Sequence, residues 1–166
     1  LAKNQDSKRV EINKQPHYKT LHGFGISILA LLAFTFDHNC WEMPTWEVVR
    51  TIIKPATEKD RCRYAELKSI KKYFNKAKVF VSHCWSAKFG DLVMAACQGA
   101  RFDRYVWIDI FAVRQWPGNS ADLNFRGVIK QCRAMIVSVS FDHCESLFPC
   151  SFPFLWCLVV LFVLYF

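Results

Sequence analysis

The sequence predicts an α/β domain, a parallel β-sheet with helices on both faces, preceded by a helical lead-in. Three observations carry this. Short apolar runs recur as "KVFVS" (78–82), "RYVWIDIFAV" (104–113) and "RAMIVSVS" (133–140). Amphipathic stretches, "FGDLVMAACQGA" (89–100) and "ADLNFRGVIKQC" (121–132), separate them. The apolar runs are nearly continuous and do not alternate, as expected of strands buried on both faces.

Taken in order, residues 1–20 form a polar leader. Residues 21–36, with "GISILALLAFTF" at their centre, predict an apolar helix. Such a run after basic residues could pass for a signal-peptide core, but it lies deep and "DHNCW" follows it where small residues would be needed. In "MPTWEVVRTIIKP", Thr45 is the expected N-cap, Val48, Val49, Ile52 and Ile53 share a face, and Pro55 is expected to stop the helix. "YAELKSIKKYFNKA" predicts a second, basic helix with Leu67, Ile70 and Phe74 inward. Residues 21–77 thus make the lead-in and 78–146 the α/β core, in which "QWPGNS" marks a turn.

The last segment, 147–166, carries no charge. Pro149 and Pro153 interrupt it, and the 13 residues after Pro153 span about 20 Å as a helix against a hydrocarbon core of roughly 30 Å. A short membrane anchor, a core strand and an artefactual end are all compatible with that pattern.

The net charge of +8 is uneven. Residues 1–20 hold five basic and two acidic side chains, and 58–78 hold eight and three. The run Lys68, Lys71, Lys72, Lys76 reads as a solvated face, so no nucleic-acid partner is expected. An apolar content of 52% excludes a disordered chain. None of the eight cysteines forms a CxxC pair, and several lie in apolar runs, which favours reduced thiols and a cytoplasmic setting.

Phosphate-binding signatures are absent: there is no GxGxxG after a strand and no GxxxxGK[ST]. "DHNC" and "DHC" lack the repeated spacing of a zinc site, so no metal is expected. His83 and Cys84 invite a nucleophile reading, but neighbours on a strand face opposite ways. In parallel sheets, ligands bind beyond the carboxyl ends of the strands. That places Ser82, His83 and Trp85 at a candidate binding loop, with Asp109 as an acid that must be paired or reach a strand end. Trp116 could stack on a planar ligand.

With strands "VFVSHCW", "VWIDIFAV" and "AMIVSVS" around a Trp116–Gly118 turn, residues 78–140 resemble a Toll/interleukin-1 receptor-like (TIR-like) domain of the divergent algal and protist type. The resemblance implies a flavodoxin-like sheet and a signalling module that self-associates or docks other TIR-like domains. The loop after the second strand, 114–119, would serve that docking. It implies as the alternative an NAD nucleosidase, with NAD as substrate and no cofactor required. Enzymes of the family use a glutamate in a Trp-Cys-x-x-Glu pattern. Here Trp156 and Cys157 lead to Val160, which cannot carry charge, so no catalytic residue transfers, and the nearest upstream acid, Glu145, is the candidate for that role. A glutamate-bearing helix replaced by an apolar tail would leave the core truncated. A protein tethered to a membrane through 147–166 is the third expectation.

Overall fold

The computed structural model describes residues 21–138 and the short strand Leu164–Tyr165. The leader 1–20, Glu145, Trp156, Cys157 and Val160 lie outside the described residues.

Six strands form one mixed sheet: β1 (Gly25–Ser27), β2 (Phe74–Asn75), β3 (Val79–Ser82), β4 (Tyr105–Trp107), β5 (Ala134–Val137) and β6 (Leu164–Tyr165), in the order β2-β1-β4-β3-β5-β6. The three expected strands are its centre and run parallel, with Val79 opposite both Val106 and Ala134. The expectation of a wholly parallel sheet is corrected at the edges. β1 pairs antiparallel with β2 and β4, and β6 pairs antiparallel with β5. Two strands of the expected helical lead-in therefore belong to the sheet.

The helices are α1 (Ile28–Asp37), α2 (Thr45–Val48), α3 (Lys54–Thr57), α4 (Phe89–Cys97), α5 (Asp109–Ala112) and α6 (Phe125–Ile129). The apolar run predicted as one helix over 21–36 splits. Gly25 opens a strand that passes close to Ala77, where a Cβ would lie 2.7 Å from the Ala77 Cβ, and Ser27 then caps α1 by accepting from Ala30 N–H. Pro55 does not stop its helix. A π-helical turn, Val49–Ile53, joins α2 to α3 and widens the helix where the proline ring would meet a preceding carbonyl. Pro44, not Thr45, takes the N-cap position. The second basic helix is replaced by two 3₁₀ turns, Tyr64–Glu66 and Lys71–Tyr73, although Leu67, Ile70 and Phe74 still pack on the core.

One core lies between the sheet and α1, α2 and α4. It contains Ile26, Leu31, Val48, Ile53, Val79, Leu92 and Ile136. At its middle, the Phe34 ring meets Tyr64, Phe89 and Phe111 edge-on at 5.1–5.9 Å. The other face packs Phe80 against Trp107 at 5.0 Å, closed by Val128 and Cys132 from the α6 side. Helical cover on both faces is thus observed. No helix among the described residues is long and apolar enough to cross a membrane.

Candidate functional site

The chain leaves β3 at Ser82, whose carbonyl accepts from Ser138 N–H at 2.8 Å. The following loop is held by the lead-in. Thr45 N–H donates to the Ala87 carbonyl and Trp46 N–H to the Trp85 carbonyl, both at 3.0 Å. Beyond the loop, Phe89 and Gly90 donate to Met43 and Trp41 carbonyls at 2.8 Å. A Cβ on Gly90 would sit 2.8 Å from the Trp41 carbonyl oxygen and ring, so only glycine admits this approach.

β4 lies beside β3, which brings Asp109 to the same sheet end. The apolar run 104–113, expected to be one strand with the acid inside, is strand only to Trp107. Asp109 opens the α5 turn. Its Oδ1 is 3.6 Å from His83 Nε2, and its Oδ2 accepts from the Trp85 indole N–H at 3.2 Å. The His83 and Trp85 rings lie nearly parallel, 18° apart, with centroids separated by 6.3 Å. Three of the expected residues are therefore assembled.

Burial lowers the His83 pKa, against a smaller upward pull from the Asp109 carboxylate. Burial thus disfavours the charged form of His83 that a salt bridge would need. The His83 side chain is 3% exposed, and both facing atoms, His83 Nε2 and Asp109 Oδ1, are buried without a hydrogen-bond partner. Such groups are costly to leave unsatisfied. The residues His83 and Asp109 border a cleft of about 380 Å³ that also takes in Ser82 and Trp85, with Phe125, Ile129 and Met135 as its apolar wall.

Cys84 does not join this pair. Its thiol lies 3.1 Å from the Ser86 hydroxyl, whose hydrogen bond, together with backbone donors, draws its pKa down. Cys40 and Cys132, by contrast, are pushed up to about 11 by burial. Among the described residues the Cys84 thiol is hydrogen-bonded to Ser86 and to no imidazole, so they build no nucleophile–base pair. Among the described residues no three His, Cys, Asp or Glu side chains are grouped to hold a metal.

Trp116 is elsewhere. Its indole N–H donates to Thr57 Oγ1 at 3.1 Å, and Lys54 and Arg61 lie over its ring at 5.4 and 5.5 Å. It fastens the loop after β4 to the lead-in and does not border the His83 cleft. The same loop is clamped by a network that sequence reasoning missed. Asp122, fully buried, pairs with buried Arg63 and accepts from Arg114 Nε at 2.9 Å and Arg114 backbone N–H at 3.1 Å. Burial opposes Asp122 ionisation, but Arg114 and Arg63 outweigh it and the carboxyl pKa falls. The polar pattern of "ADLNF" held no signal for this, because the partner lies 59 positions away.

No known protein family, curated protein or solved structure matches the chain at a significant level.

Proposed function

We propose that the chain is a TIR-like interaction module of flavodoxin-like strand order, which self-associates or docks related domains through the loop 114–119. The observation that carries this reading is the clamp on that loop. Arg114 is tied to Asp122, Asn119 donates to the Arg114 carbonyl at 2.8 Å, and Trp116 is fixed to Thr57. Pro117 and Gly118 remain exposed at the tip. A loop ordered before binding loses little entropy on association, which is what a recurrent docking surface requires. The flavodoxin-like reading draws support from the parallel strands: taken in chain order they lie 2-1-3, as such sheets begin. Light scattering over a concentration series tests the proposal. The mass rises with concentration for the native chain and stays monomeric for Pro117→Glu. A monomer at every concentration that recruits no related domain would reject it.

The second reading, an NAD nucleosidase, is favoured by the cleft at the carboxyl ends of β3 and β4, which His83 and Asp109 both border. Asp109 is the carboxylate there that could stabilise positive charge developing on a ribose. Incubation with NAD followed by chromatography decides it: nicotinamide release that Asp109→Asn abolishes supports this reading, and no release removes it.

A further inference from the structure

The amino ends of β3 and β5 open a second cleft, at the other end of the sheet from His83 and Asp109, with a volume of about 660 Å³. Lys78 and Arg133 stand immediately before the two strands, held side by side by Arg133 N–H donating to the Lys78 carbonyl at 2.8 Å. Arg101 and Arg104 enter from the turn after α4. Among the described residues Asp103 is the one acid lining the cleft, in a solvent-exposed pair with Arg101 at 3.4 Å.

The four cations are not equivalent. Arg104 is committed to the carbonyl end of α4, donating to Gln98 O at 3.2 Å and Gly99 O at 2.7 Å. It cancels the negative helix end that would otherwise repel an anion here. Lys78 and Arg133 are exposed and make no side-chain ion pair among the described residues. Like charges converging on one concavity raise its potential, and a bound anion relieves their repulsion. The floor is apolar, formed by Val79 and Ala134. The volume falls within the range of about 300–1,000 Å³ typical of small-molecule sites.

We propose that this cleft binds a small polyanion bearing phosphate groups, engaged by Lys78 and Arg133, with its less polar body over Val79 and Ala134. The guanidinium suits two phosphate oxygens at once and the ammonium supplies a point charge. This inference is independent of the loop 114–119 and of the His83 cleft.

Calorimetric titration of the full chain with sodium tripolyphosphate tests it. One saturable site is expected, weakened about tenfold or more in the Lys78→Gln, Arg133→Gln double variant. The Lys71→Gln, Lys72→Gln variant, which removes equal charge from the lead-in, should keep the native affinity. All four side chains are exposed, and circular dichroism verifies that both variants fold. Competition by phosphoinositide-containing vesicles identifies the source of the phosphate: displacement of tripolyphosphate assigns a lipid headgroup, and its persistence assigns a soluble ligand. Absence of saturable binding, or equal weakening by the two double variants, overturns the proposal.

Discussion

Arg63, within the lead-in, forms a buried ion pair with Asp122, in the segment that follows the loop after β4. The two side chains are 3% and 1% exposed. Arg63 also binds Glu66 through its side chain at 2.8 Å and its backbone N–H at 2.9 Å, so the pair is anchored on both sides. This contact joins the two halves of the chain and, through Arg114, fixes the 114–119 loop on which the functional reading rests.

Removal of one partner leaves the other charge buried and uncompensated. Asp122→Ala is expected to lower stability by about 3–5 kcal/mol, the range for a broken buried pair. Urea denaturation measures it. A loss under about 1 kcal/mol would mean that water reaches Arg63 and the clamp is not buried in solution.

His83 sets a pH dependence. Its folded pKa lies below the ordinary 6.5, chiefly through burial. Well above pH 6.5 the imidazole is neutral in both states and costs nothing. As pH falls through 6.5 the unfolded chain takes the proton first, so stability declines until the folded pKa is passed. Asp109→Asn removes the carboxylate that favours protonation and should lower the His83 pKa further. An NMR titration reports both; a His83 titration at or above 6.5 contradicts the burial argument.

Cys84 is expected to be alkylated ahead of Cys40 and Cys132, whose thiols burial holds near a pKa of about 11. Ser86→Ala should slow the reaction, because the Ser86 hydroxyl is the main cause of the lowered Cys84 value. Iodoacetamide labelling followed by mass spectrometry gives the order. Labelling of Cys40 or Cys132 first would show that the core around them opens readily.

The parallel centre of the sheet was legible because each strand is an unbroken apolar run between turn residues. The edges were not. β1 and β2 have three and two residues, too few to show any alternation, and Gly25 looks like a breaker until Ala77 is seen against it. The run 104–113 was overextended because a buried helical turn and a buried strand are equally apolar. Asp109 marked the change, as the acid that could not stay in the strand. Ser82, His83, Trp85 and Asp109 were grouped by the rule that strand ends hold ligands, and all four border one cleft. Trp116 lies apart from these four, and its partners, Thr57, Lys54 and Arg61, come from a segment whose packing no local pattern encodes.

The most direct test of the account is hydrogen–deuterium exchange of the native chain at low and high protein concentration. The interaction reading predicts that amide protection over 114–120 rises with concentration while the β3, β4 and β5 amides stay unchanged. Protection of 114–120 that is independent of concentration, or that appears at another surface instead, would contradict it.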